Sequence, residues 1–154
     1  MSKKPKYLPP AHAYFGPLAS TNSGRMKKQV FSGIYASQIQ SVAFRALTDK
    51  QKVLFLYMRM QEHAEEKPSG FGENCFYFPR ALWSKTLGLY QKDTRYYTDL
   101  DALIEAGFVD CIASGYTTRE KSVYRFSERW KEYGTDTYEV PASARRMKRK
   151  RREE

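Results

Sequence analysis

Five polar residues cluster near the start of one predicted helix, and their side chains are of types that hydrogen-bond base edges and phosphates. An arginine can donate two hydrogen bonds to one guanine, and a glutamine amide can pair with adenine. Threonine hydroxyls and a lysine ammonium can contact phosphate. The five residues are Gln91, Lys92, Thr94, Arg95 and Thr98. The cluster is therefore a candidate nucleic-acid contact site.

The apolar spacing of the same segment predicts which side of the helix faces outward. A helix turns by ~100° per residue, so Tyr96, Leu100 and Leu103 fall on one apolar side, and Tyr97 lies on the flank. The opposite side carries Thr94, Arg95, Thr98 and Ala102. Arg95 has the alternative of a solvated cation paired with Asp99, and Thr94 has the alternative of capping the helix.

Boundary signals for other elements surround this segment. Thr48 and Gln51 form a capping box, which predicts the start of a helix that ends near Glu66. Residues 53–60 of this helix are nearly all apolar, so we expect it to pack on most sides. A second helix is expected to begin at Pro79. The candidate helix is expected to run from Gln91 or Asp93 to Glu105, and Gly107 is expected to end it in a left-handed backbone conformation. The other predicted elements are a strand over 30–35, a helix over 37–46, strands over 76–78, 108–113 and 122–126, and a helical turn within 127–133.

The turn between the last two predicted strands carries two more cations. Arg119 and Lys121 lie near its tip, with Glu120 between them. Such cations can contact phosphate, and an arginine can enter a narrow minor groove. The alternative is an exposed turn of mixed charge.

In order, these elements are helix, strand, helix, tight glycine turn, helix and hairpin. Leu87-Gly88-Leu89, and later Leu103-Ile104-Glu105-Ala106-Gly107-Phe108-Val109, resemble winged helix-turn-helix DNA-binding domains; the resemblance covers about residues 47–126. It implies that the candidate helix is a recognition helix, which enters the major groove, and that the hairpin is the wing. The N-terminal part and the wing also resemble those of DNA-binding proteins of plasmids, phages and integrative elements, including replication initiators.

The positive charge is concentrated at the two ends of the chain. Residues 1–30 carry a net charge of +6, residues 142–154 carry +5 and the residues between them −1, within a total of +10. Such ends favour a polyanionic partner, and a basic run near the C-terminus suits phosphate contact. The run consists of Arg145, Arg146, Lys148, Arg149, Lys150, Arg151 and Arg152. It also resembles arginine-rich segments that fold on RNA, and a merely solubilising tail is the further alternative.

Acidic residues in and around the candidate helix and hairpin count against DNA binding, because they repel phosphate. They are Asp93, Asp99, Asp101, Glu105, Asp110 and Glu120. We expect the basic ends to compensate for them.

Several classes of function find no support in the sequence. His12 and His63 lie in unrelated segments, and no phosphate loop, zinc-helix motif or nucleophile elbow is present, so we expect no enzymatic activity, cofactor or metal. Cys75 and Cys111 lack metal or disulfide spacing and are expected to be buried, reduced thiols. No apolar run approaches the ~18 residues of a membrane span. These features favour a cytoplasmic protein without a membrane partner.

Together these patterns predict an α+β protein with one winged helix domain over residues 31–134. Residues 1–30 form a basic, Pro/Gly-rich arm that either docks on the core or is disordered, and residues 135–154 form a flexible basic tail that frays beyond Gly134. The expected function is sequence-directed binding of double-stranded DNA, in transcriptional regulation or in replication or transfer of a mobile element, with a homodimer partner or replication and transfer proteins as further candidates. The alternatives are RNA or ribonucleoprotein binding through the arginine-rich tail, and a winged helix used only for protein docking.

Overall fold

The computed structural model describes residues 32–115 and 118–148, which form helices packed around a small antiparallel sheet. The expected α+β class is confirmed at this level. The α-helices are α1 (Ala36–Gln40), α2 (Val42–Ala46), α3 (Asp49–Met60) and α4 (Asp93–Glu105). A π-helical segment spans Ala81–Thr86, and short 3-10 helices span Gln61–His63, Arg129–Glu132 and Ala142–Ala144. The strands are β1 (Cys75–Tyr77), β2 (Val109–Ala113) and β3 (Val123–Phe126).

The segment before α3 differs from the prediction. Residues 32–35 are not a strand, and the single helix expected over 37–46 is split at Ser41. Ser41 has extended backbone angles, and its Oγ accepts a hydrogen bond from the Phe44 amide at 3.1 Å. The serine side chain therefore starts a new helix instead of continuing the old one.

Helix α3 begins as the sequence predicts. The Gln51 amide donates to Thr48 Oγ1 and the Thr48 amide donates to Gln51 Oε1, which completes the capping box. The helix ends at Met60, earlier than expected, and a 3-10 turn follows. Leu54, Phe55 and Met58 are buried. Val53 and Leu56 are 39% and 44% exposed, so the expectation that α3 packs on most sides is wrong for this outer face.

The three strands form an antiparallel sheet in the order β1-β3-β2. β3 therefore lies in the centre, with Tyr124 opposite Phe76 on one side and Cys111 on the other. The register of β2 against β3 shifts between Cys111 and Ala113. The predicted hairpin is thus present, and β1 extends it to three strands.

Two glycines with positive φ lie on either side of α4, and the second of them ends the helix. Gly88 has φ +60° in the turn before α4, and Gly107 has φ +86° just after it. Beyond α4 the Phe108 amide donates to the Leu103 carbonyl and the Gly107 amide to the Ile104 carbonyl, each at 3.1 Å. This pair of bonds is a Schellman motif, which confirms Gly107 as the helix end.

The chain after Gly134 packs against the domain, at least as far as residue 148. Val140 and Ala144 are buried, and the 3-10 helix Ala142–Ala144 lies against β2. Trp130, in the expected helical turn, is also buried and stacks on Phe108. The expectation that the chain frays beyond Gly134 is therefore wrong for residues 135–148, because small and branched apolar side chains anchor them to the core.

Candidate nucleic-acid interface

The five polar residues predicted on α4 line one open groove. The groove has a volume of about 830 Å³ and extends from the start of α3 across the Gly88 turn to the first half of α4. It is lined by all five, Gln91, Lys92, Thr94, Arg95 and Thr98, together with Lys50, Gly88, Leu89, Tyr90 and Asp99. The five predicted side chains are all exposed. The structure therefore brings them together on an accessible surface.

Arg95 is not engaged by the carboxylate that the sequence offered as its partner. Asp99 instead accepts hydrogen bonds from the Tyr90 hydroxyl at 2.7 Å and from Gln51 Nε2 at 3.2 Å. Among residues 32–115 and 118–148, no side chain forms an ion pair with the Arg95 guanidinium. A guanidinium in this state can donate to an external acceptor without first breaking an ion pair within the described part of the chain.

The two threonines of the cluster have different surroundings. Lys92 occupies the N-cap position of α4, so Thr94 lies inside the first turn and is not the cap. Its carbonyl accepts a hydrogen bond from Thr98 Oγ1 at 2.8 Å. This bond restrains the Thr98 side chain, which remains exposed.

Lys50 is a groove residue that sequence reasoning missed. Its ammonium donates to the Leu89 carbonyl at 2.6 Å and lies 4.7 Å from the Tyr90 ring centroid. The contact joins the first turn of α3 to the turn before α4, across 39 residues of sequence. No local pattern could have revealed it.

Aromatic rings pack against the buried side of α4, opposite the groove. The Tyr96 ring is buried and stacks on Trp83 at 4.4 Å between centroids, with Phe78 on the same cluster. Tyr96 is thus a core residue, as predicted, and burial raises its pKa well above the ordinary tyrosine value. Burial, followed by the hydrogen bond to Asp99, also raises the pKa of Tyr90. Both hydroxyls therefore stay neutral donors at physiological pH.

The hairpin turn presents one of its two predicted cations and uses the other internally. Lys121 Nζ forms an ion pair with Glu66 at 2.7 Å and lies 5.3 Å from the Tyr77 ring centroid. Arg119 is exposed at φ +59°. Residues 116 and 117 of this turn lie outside the described residues. Of the two, Arg119 is the better placed to meet an external partner.

The basic residues near the C-terminus do not form a free tail where the structure describes them. Arg145 binds both carboxylate oxygens of Glu105, at 2.8 and 3.3 Å, and Arg146 binds both of Asp101, at 2.7 and 2.9 Å. Lys148 lies 3.4 Å from Asp101. Their predicted role as flexible phosphate-binding groups needs correction in this respect, because α4 already holds them. Arg149, Lys150, Arg151 and Arg152 lie outside the described residues.

The acidic residues that counted against DNA binding are mostly neutralised or hydrogen-bonded. Asp93 pairs with Arg80 at 2.9 Å, and Asp110 pairs with Arg125 and Arg129. With Asp99, Asp101 and Glu105, five of the six acidic side chains have partners. The electrostatic objection raised by the sequence is therefore weaker than it looked, because four of these carboxylates are paired with cations and Asp99 is hydrogen-bonded.

The described residues hold no group of three or more metal-ligating side chains. Cys75 and Cys111 are buried free thiols, as expected, and burial raises the pKa of Cys111 to about 11. No helix in the described part of the chain is long and apolar enough to cross a membrane.

Comparison with known proteins yields no match, whether with family models, with curated proteins or with solved structures.

Proposed function

We propose that the chain is a winged helix-turn-helix protein that binds double-stranded DNA in a sequence-directed manner. α4 is the recognition helix, the hairpin β2–β3 is the wing, and the first half of α4 meets the base edges. The biological setting is transcriptional regulation or the replication or transfer of a mobile element. Catalysis has no part in this proposal.

The order of the elements supports the fold assignment. Helix α3, strand β1, the π-helical segment, the Gly88 turn, α4 and the β2–β3 hairpin follow one another as they do in winged helices. The sheet order β1-β3-β2 places the hairpin beside the strand that precedes the second helix. A helix presented in this way fits the major groove, where its N-terminal residues contact bases.

The observation that carries the functional proposal is the state of the residues at the start of α4. Gln91, Lys92 and Arg95 are exposed together in one groove, and Asp99 is occupied by Tyr90 and Gln51. An arginine with no ion-pair partner among the described residues, beside an exposed amide, is suited to read guanine and adenine edges. The ion pairs along the rest of α4 reduce the repulsion that its carboxylates would otherwise exert on phosphate.

A selection experiment tests the reading role of α4. The protein is used to select sites from a random duplex library, and binding to selected and scrambled duplexes is measured by fluorescence anisotropy. Arg95→Ala should cost about 1–3 kcal/mol on the selected site and much less on the scrambled one, because a bidentate base contact is lost. Arg45→Ala, an exposed arginine of α2, is the matched control and should leave the preference unchanged.

Two results would refute the proposal. The first is no binding to any duplex at ~50 mM salt, where phosphate contacts are strong. The second is a preference that survives Arg95→Ala in full. Competition with structured RNA is the decisive comparison for the alternative partner: displacement of duplex by RNA at lower concentration would favour an RNA-binding protein.

A further inference from the structure

Residues 138–148, which we name the C-terminal strap, contact α4 through their first residue and their last four, while the 3-10 helix between them lies against β2. The strap places three cations over the second half of α4. Arg145 pairs with Glu105, while Arg146 and Lys148 pair with Asp101. The Arg146 guanidinium also lies 4.5 Å from the ring centroid of Tyr97, which is one turn earlier on α4. Each contact joins residues 40 to 49 positions apart, so the strap is a tertiary feature of the fold.

Apolar and backbone contacts hold the strap in place independently of its charges. Val140 and Ala144 are buried, and the Tyr138 hydroxyl donates to the Glu105 carbonyl at the end of α4. The last turn of α4 contains no basic residue of its own. The strap cations thus lie where the helix dipole is negative and where two carboxylates add to it.

The two carboxylates lie on the stripe of α4 that continues the candidate reading surface. Thr94, Thr98, Asp101 and Glu105 are spaced by four, three and four residues, which places them in line along the helix. Asp101 is about 10 Å from Thr94 along the axis, at 1.5 Å per residue. That separation is close to the screening length of about 8 Å at physiological salt, so bare carboxylates here would repel phosphates bound beside Thr94.

We propose that the strap is the built-in counter-charge of the recognition helix: Arg145 and Arg146 act by neutralising Asp101 and Glu105, and do not themselves bind phosphate. This inference rests on the proposed function. The two arginine charges cancel the two carboxylate charges, so the second half of α4 repels DNA phosphates less strongly. If the arginines instead contacted phosphate directly, removing the two carboxylates as well would not restore the affinity lost with the arginines.

Four proteins separate these two roles. They are the full chain, Arg145→Gln with Arg146→Gln, Asp101→Asn with Glu105→Gln, and the quadruple variant. Affinity for one duplex is measured by anisotropy at ~50 mM salt. We expect the arginine double variant to bind about tenfold or more weakly, because Asp101 and Glu105 lose their arginine partners and only Lys148 remains beside Asp101. The quadruple variant should return to within about threefold of the full chain, and the acidic double variant should bind more tightly than the full chain.

A matched control removes an ion pair that is not on α4. Glu128→Gln with Lys131→Gln deletes the 2.6 Å pair on the 3-10 helix Arg129–Glu132 and should leave affinity unchanged. Thermal melting of every variant shows whether it folds. The single variant Arg145→Gln, whose pair is half exposed on both sides, keeps the test possible if the double variant does not fold.

The outcomes are distinguishable. If the quadruple variant stays as weak as the arginine double variant, this inference is wrong, and the arginines bind phosphate directly while the proposed function stands. If the full chain binds no duplex, both the inference and the proposed function fall.

Discussion

Gly107 offers a sharp test of how the end of α4 is packed. At φ +86° an alanine is strained by about 1–2 kcal/mol. The added Cβ would also lie 2.5 Å from the Trp130 amide nitrogen and 2.7 Å from the Arg129 carbonyl carbon, both of which are backbone atoms. That turn must move, which breaks the 3.1 Å bond from the Trp130 amide to the Gly107 carbonyl and costs roughly another 1 kcal/mol. With the accompanying shift of Trp130 in the core, we expect Gly107→Ala to cost about 3–5 kcal/mol.

Gly88→Ala is the natural control for this substitution. Gly88 also has positive φ, at +60°, but no non-neighbouring atom of the described chain lies within 4 Å of the added Cβ. Its cost should therefore be the conformational part alone, about 1–2 kcal/mol. Urea denaturation of both variants, with unchanged slopes, measures the two costs. Equal costs would refute the close packing of the Arg129–Trp130 turn against the end of α4.

Two further predictions concern the core. Leu100→Ala should lower the free energy of unfolding by about 2–5 kcal/mol, because Leu100 is fully buried. Ala102→Ser, on the outer side of α4, should be nearly neutral. Equal small effects of the two substitutions in thermal melts would mean that the predicted phase of the helix is wrong. Burial raises the pKa of Cys111 to about 11 and of Tyr124 to about 12, so the unfolded chain loses these protons first. Their contribution to the free energy of unfolding should be complete below about pH 9 and should be lost as the pH rises through the pKa values of the folded protein. Chemical denaturation at a series of pH values would detect this loss. A free energy of unfolding that stays constant from pH 9 to 12 would contradict the burial of these groups.

Local signals in the sequence predicted the elements that present the candidate site. The Thr48 capping box, the Gly88 turn and the Gly107 helix end each act within a few residues, and all three are present. The phase of α4 also follows from three apolar residues, since a helix has a fixed period. Such features are predictable because their physical cause is local.

What the sequence could not predict depends on contacts between distant residues. The sequence predicts a free basic tail where the strap lies, because Arg146 and its partner Asp101 are 45 positions apart and no local pattern links them. For the same reason the carboxylates of α4 read as unopposed charges. The break at Ser41 is a different case, because a serine side chain competes with the helix for a backbone amide. A serine inside a helical pattern does not show whether the helix continues or whether the serine caps a new one.

The two tryptophans, each stacked on another aromatic ring, give the protein two intrinsic fluorescent probes. The chain contains two tryptophans, Trp83 behind the start of α4 and Trp130 at the base of the hairpin. Each lies against another aromatic ring, so its emission should respond to any loosening of that stack. Replacing either one with phenylalanine would leave a single fluorophore. Rearrangements beside the candidate reading surface could then be followed separately from those near the strap, in unlabelled protein.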